Sequence, residues 1–152
     1  MSVSARLAEL GIQLPAVAAP VAAYVPAVVH GDLVHTSGQL PFVAGSLPAT
    51  GKVGAEITAD DAKAYARTCA LNALAAAADA AGGVDRLGGV LRLGGFVASA
   101  EGFTGQPGVI NGASEVLGEI FGDAGKHARA AVGVAELPLG SPVEVEVTFT
   151  LA

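Results

Sequence analysis

The chain has 152 residues, of which 52% are hydrophobic and 14% charged, and its net charge at pH 7 is −6. That length fits a single domain, 1–152, able to bury a core of its own. The acidic balance argues against a general nucleic-acid binder, which needs a basic face to collect phosphates, and the single cysteine, Cys69, excludes a disulfide framework or a multi-cysteine zinc site.

Residues 1–20 read as an N-terminal extension. Within it, 4–12 suit a short amphipathic helix, with Leu7 and Leu10 on one side and Arg6 and Glu9 on the other. Glu9 and Gln13 interrupt the apolar segment, and Pro15, Pro20 and Pro26 break the next stretch, so a targeting signal is not expected. No run of about 18 or more uncharged apolar residues occurs, so no membrane span is expected. The expectation is a soluble cytoplasmic protein.

Ala22 to Val29 then reads as a strand, His30-Gly31-Asp32 as a tight turn and Leu33 to Thr36 as the returning strand. Ser37-Gly38-Gln39 and Pro41 lead into a polar, Gly-rich loop through 54, expected to be mobile. Thr58 is a helix cap with Asp60 and Asp61 in the first turn, where the dipole favours negative charge. That helix, mostly alanine, should run to Ala81 and stop at Gly82-Gly83. Val90 to Ser99 is a strand in which Gly94 and Gly95 suggest a bulge. A loop through Gly102, Gly105 and Pro107 precedes a second helix over 107–122.

Two apolar runs close the chain. Arg129 to Val134 is short, and Val143 to Leu151 alternates strictly, with Val143, Val145, Val147, Phe149 and Leu151 on one face and Glu144, Glu146, Thr148 and Thr150 on the other. Pro138, Gly140 and Pro142 break the segment between them. The order β-β-α-β-α-β-β gives an α+β or α/β sandwich with helices on one sheet face. The other face needs a cover, and a second copy of the chain would supply it. If the last two strands pair as a hairpin, Arg129 comes near the face that carries Glu144 and Glu146. A guanidinium beside a carboxylate pair can hold an anion and move a proton.

Each candidate has a plainer alternative. Arg129 is either a surface arginine paired with a carboxylate or a bidentate anchor for a substrate carboxylate, which its planar fork suits better than lysine. Glu144 and Glu146 are either the wet side of a strand or, once covered, a crowded pair in which one keeps its proton near neutral pH. Ser37-Gly38 is a common turn that also lets a backbone approach a ligand. Tyr24 suits the core, Asn111 a helix surface, and Cys69 a small core position. His30, His35 and His127 lack metal-site spacing, and no phosphate or dinucleotide loop is present.

The run from Ala128-Arg129 through Leu137-Pro138 to Val143-Glu144-Val145-Glu146 resembles the signature of the RidA (reactive intermediate deaminase, YjgF-like) family, an Arg followed by an apolar strand, a Leu-Pro turn and Val-Glu-Ile-Glu. Tyr24-Val25 after a Pro-containing stretch, Thr36-Ser37-Gly38-Gln39-Leu40-Pro41, and Asn111 ahead of Phe121 agree in the same order, so the similarity spans residues 20–151. The resemblance implies a homotrimer of chorismate-mutase-like subunits, α+β, whose sheets enclose a central barrel with small-molecule sites between neighbours. It also implies hydrolysis of 2-imino acids, or their enamine tautomers, to 2-oxo acids and ammonia without cofactor or metal. Carried over, Arg129 binds the substrate carboxylate and Glu144 handles the water or the imine proton. The Gly38 N–H and the Ser37 region cradle the ligand, and Tyr24 and Asn111 line the pocket. Ala131 stands where active members often carry a cysteine, and its backbone carbonyl can still orient water. His127 stands where the family usually has a proline near the arginine. The longer N-terminus and the loops at 42–54 and 101–108 mark a divergent subgroup. The alternative is a trimeric module that binds a small carboxylate, or acts like a chaperone, without turnover. Ribonuclease activity, a name attached to parts of the family, is disfavoured by the acidic charge and the lack of a basic, aromatic surface.

Overall fold

The alternation near the C-terminus becomes the middle strand of the sheet. In the computed structural model, which describes residues 1–17 and 23–152, a five-stranded sheet has the order β1-β2-β5-β3-β4. Its strands are β1 (Ala27–His30), β2 (Leu33–Thr36), β3 (Leu87–Ala98), β4 (Ala128–Val134) and β5 (Val143–Leu151). The apolar side chains of β5, Val143, Val145, Val147 and Phe149, are buried against helices, while Glu144 is half-buried and Glu146 exposed on the opposite face. Burying one face of a period-two strand fixes its register, because a slip by one residue would send every valine to water.

Helices α1 (Val3–Glu9), α2 (Ala59–Ala81) and α3 (Gln106–Phe121) surround that core. The Thr58 hydroxyl accepts from the Asp61 N–H at 3.1 Å, and α2 ends at Gly82 with φ +88°, a left-handed turn that glycine adopts without strain. Ala62, Ala66, Cys69, Ala70, Ala73 and Ala77 are fully buried. Their small size brings α2 close to the sheet and to α3. A Cβ at Gly112 on α3 would run into the Lys63 carbonyl oxygen of α2. The N-terminal helix is docked too: Ser4 donates from its backbone N–H and its hydroxyl to the Asp85 carboxylate (2.7 and 2.6 Å), and Arg6 Nε–H donates to the Glu119 carbonyl (2.8 Å).

Four expectations change. The first strand begins at Ala27; Ala22 lies outside the described residues and 24–26 are not strand. The loop after Pro41 is tied down. Val53 pairs with Ile57 and Ser99, the Gly51 N–H donates to the Gly140 carbonyl, and buried Asn72 of α2 donates to the Leu40 and Phe42 carbonyls at 3.0 and 3.1 Å. The irregularities of β3 fall between Leu87 and Gly89 and between Val90 and Arg92, whereas Gly94 and Gly95 pair regularly on both sides.

The fourth correction matters most for function. β4 and β5 do not form a hairpin. β4 pairs parallel with β3, and β5 lies on the other side of β3. Parallel neighbours need a crossover, and α3 provides it. The Pro138–Gly140 turn, in which Leu139 has φ +60°, then carries the chain over the end of β3. There the Ser99 N–H donates to the Val134 carbonyl and the Ala98 N–H to the Pro142 carbonyl.

Candidate active site

Pairing places Arg129 beside Leu93 and Val147 in one row of the sheet, and Glu144 beside Phe96 and Val132 in another. The two rows are three residues apart along each strand, so their side chains leave opposite faces. Within one chain, Arg129 turns toward α3 on the edge strand, and Glu144 turns to the open face. The expected juxtaposition of Arg129 with Glu144 and Glu146 is therefore absent from the single subunit. Two half-sites take its place.

The first half-site belongs to β4 and α3. Arg129 Nη1 donates to Asn111 Oδ1 at 2.8 Å and to Ser114 Oγ at 3.2 Å, and Nη2 donates to the Pro107 carbonyl at 3.4 Å. Positions 107, 111 and 114 are four and three residues apart, which puts all three acceptors on one helical face. Of the five N–H donors on a guanidinium, three are engaged in this way. Among the described residues that leaves Nε–H and one Nη2–H without an acceptor, a pair of donors that suits a carboxylate. Ala131, two residues on, lies on the same face of β4 and packs against the core. Gly95 sets the approach of α3, because a Cβ there would meet three atoms of the Ile110 side chain at 2.5–2.6 Å.

The second half-site gathers around the start of β5. A Cβ on Gly38 would come within 2.8 Å of Glu144 Cδ and 2.9 Å of Oε2, so the glycine lets the carboxylate lie against the backbone after β2. The bridge between Gln39 and Val145 holds that approach, with N–H···O distances of 2.8 and 3.0 Å. Ser37 donates from its hydroxyl to the Val25 carbonyl (2.6 Å) and from its N–H to the Pro26 carbonyl (2.8 Å), which ties the segment carrying Tyr24 to this end of the sheet. Tyr24 is 46% exposed, not in the core. Burial pushes the Glu144 carboxyl above its ordinary range, and the neighbouring Glu146 charge adds to the shift. Both act in the same direction, since each disfavours a carboxylate anion. Gly94 makes room on the open face as Gly95 does on the other: a Cβ there would approach Glu146 Oε1 at 2.8 Å. Cys69, fully buried under β5, has its thiol pushed well up by desolvation first and the Glu144 charge second, which fits an inert core residue.

Ser114, the Pro107 carbonyl and Asn72 were not anticipated from the sequence. The 107/111/114 spacing was the available signal for the first two. Among the described residues no cluster of three His, Cys, Asp or Glu side chains could hold a metal, and no helix is long and apolar enough to cross a membrane.

A mixed five-stranded sheet with its helices on one face defines a chorismate-mutase-like α+β subunit, here with an arginine on the edge strand β4 and a glutamate on the middle strand β5, on opposite faces. The family model described as YjgF/chorismate mutase-like, putative endoribonuclease, matches residues 4–150, and the chain belongs to this YjgF/RidA family. It is similar to protein TCP17 of Trypanosoma cruzi, 46% identical over 152 residues, covering 98% of this chain and 94% of that protein. A crystal structure of a putative endoribonuclease from Shewanella oneidensis is 34% identical with a TM-score of 0.94, covering 99% of this chain and all of that one (100%). RidA from an Antarctic Psychrobacter species is 31% identical with a TM-score of 0.62, covering 89% of this chain and 93% of that one.

Proposed function

We propose that the protein hydrolyses reactive 2-imino acids, and their enamine tautomers, to 2-oxo acids and ammonia, at sites completed between neighbouring copies in a homotrimer. The observation that carries this reading is Arg129: a guanidinium held by three acceptors of α3, with two donors left for a carboxylate. The raised Glu144 carboxyl supports the rest. A protonated C=N bond is already electrophilic, so the protein has only to orient it and manage protons. Arg129 fixes the carboxylate of the imine. Glu144 takes a proton from water as its oxygen attacks the imine carbon. It then returns a proton to nitrogen and takes the proton of the new hydroxyl as the C–N bond breaks and the C=O bond forms, so one water is consumed, one ammonia is released and the proton the imine brought leaves through Glu144. Glu144 of one copy has to meet Arg129 of the next, because the two point away from each other in a single chain.

The test generates 2-imino acids of several side-chain classes with an amino-acid oxidase, in competition with semicarbazide. The wild type is expected to speed 2-oxo acid formation, and Arg129→Ala to match buffer. A wild type that also matches buffer while binding small carboxylates through Arg129 would support the second reading, a trimeric carboxylate-binding or chaperone-like module. Ala131, with no thiol on the Arg129 face, is the observation favouring that alternative. Endoribonuclease activity has less support, since a chain of net charge −6 offers little to collect phosphates.

A further inference from the structure

Two residues before Arg129, the imidazole of His127 sits between β4 and α3. Its Nδ1 lies 2.6 Å from the Gly125 carbonyl oxygen, and its Nε2 lies 2.9 Å from Ser114 Oγ. A carbonyl oxygen can only accept, so the proton of the neutral ring is on Nδ1. Nε2 is then bare and accepts, and the hydrogen it accepts is that of the Ser114 hydroxyl. The Ser114 oxygen, its own hydrogen committed, turns its lone pairs to Arg129 Nη1–H at 3.2 Å. The chain of donors therefore has one direction: Arg129 to Ser114, Ser114 to His127, His127 to Gly125.

We infer that His127 is a positioning residue for Arg129: by accepting from Ser114 it holds that hydroxyl as an acceptor for the guanidinium and so presets the donors that bind the substrate carboxylate. Without an imidazole at 127, the Ser114 hydroxyl would turn back to a carbonyl of its own helix, as serines inside helices do. The guanidinium would then keep Asn111 Oδ1 and the Pro107 carbonyl but lose its third anchor. The Gly125 end matters as well. Gly125 is buried, and a Cβ there would approach the Leu117 carbonyl oxygen at 2.7 Å, so the carbonyl that receives His127 is fixed against α3. The imidazole thus joins the start of β4 to the helix whose acceptors hold the arginine. The other charged groups around this corner are engaged elsewhere or lie further along. Lys126 pairs with Asp123 at 2.9 Å, Glu115 pairs with Lys63 at 3.2 Å, and Arg92 adjoins Ala128 through the backbone.

This role deepens the carboxylate-anchor reading of Arg129 and rests on it for its kinetic consequence, but its structural half can be read with no substrate present. Long-range 1H–15N spectra of the histidine rings in the full chain at pH 7.5, assigned with His127→Gln, report the tautomer. The expected result is a protonated Nδ1 and a bare Nε2. A protonated Nε2 with a bare Nδ1 would overturn the inference whatever the protein turns over. In the imine assay, His127→Leu and Ser114→Ala are each expected to raise KM on the order of tenfold, as loss of one hydrogen bond to a charged group implies, with kcat within about twofold. The double variant should be no worse than either alone, because both remove the same anchor. His127→Gln, whose amide oxygen can still accept from Ser114, should stay near wild type. Multiplying effects in the double variant, or an unchanged KM in His127→Leu, would overturn the assignment. If no imine is turned over, titration with 2-oxobutanoate followed on the Arg129 Nε–H resonance gives the same comparison as a Kd.

Discussion

At the scale of single residues, Arg129 and Glu144 make separable demands. The two free N–H groups of Arg129 match a carboxylate, and hydrogen bonds to charged groups contribute ~1.5–3 kcal/mol each. Arg129→Ala is therefore expected to lower kcat/KM on the order of a hundredfold or more. Arg129→Lys, which keeps the charge but loses the fork, should recover only part of that, and steady-state kinetics on the oxidase-generated imine distinguishes the two. Glu144 has a thermodynamic signature as well. Its unfolded carboxyl titrates near 4.5, and burial, with Glu146 beside it, raises that value in the folded chain. Between the two values the folded state binds more protons than the unfolded one, so stability falls as pH rises through that window. At concentrations low enough to separate the copies, so that no neighbour's guanidinium faces Glu144, Glu144→Gln should then unfold at a higher temperature than the wild type at pH 7, with the gap closing below pH 4.5. The same substitution should abolish turnover. A lower melting temperature at pH 7 would mean that the carboxylate stabilises the fold, contrary to its raised pKa.

At the scale of elements, the position of the site depends on how closely α3 lies on β3. Gly95 is under Ile110, and any Cβ there meets that side chain at 2.5–2.6 Å. Gly95→Ala should cost ~1–3 kcal/mol by overpacking a closed interface, and Ile110→Val in the same chain should return part of it; urea melts measure both. Gly94→Ala should cost less, because its Cβ meets the movable end of Glu146. This contrast also bears on what the sequence could convey. Adjacent glycines in an apolar strand mark close approach or a bulge, and nothing in the string decides between them; here each glycine admits a neighbour from its own face. The helices, the caps of α2 and the alternation of β5 were legible because propensity and burial agree residue by residue. The pairing of β4 was not. A short Ala- and Val-rich run followed by Pro138, Gly140 and Pro142 reads as one arm of a hairpin, and only the crossover through α3 places it parallel to β3. Arg129, Glu144, Gly38 and Asn111 stand out as candidates by residue type and spacing, and the motif supplies the roles expected of them, whereas the hold of Ser114 and His127 on the arginine required the register of β4 against α3.

At the scale of the whole molecule, the open sheet face poses the remaining question. It carries Val28 and Val132, 52% and 45% exposed, together with half-buried Phe96 and Glu144. Apolar residues in strand rows that also carry carboxylates suit a face that meets another copy of the chain. Closed rotational symmetry would give every subunit the same two contacts and bring each Glu144 half-site to a neighbour's Arg129 half-site. Complementation tests this directly. Arg129→Ala and Glu144→Gln chains should each be inactive as pure assemblies. Unfolded together in equal amounts and refolded, they should regain on the order of a quarter of the wild-type rate, since one interface in four would join an intact arginine half to an intact glutamate half. A site built within one chain would stay silent in every mixture. Mixing the folded proteins without unfolding should give the same recovery only as fast as subunits exchange, so the time course also measures how firmly the copies hold one another.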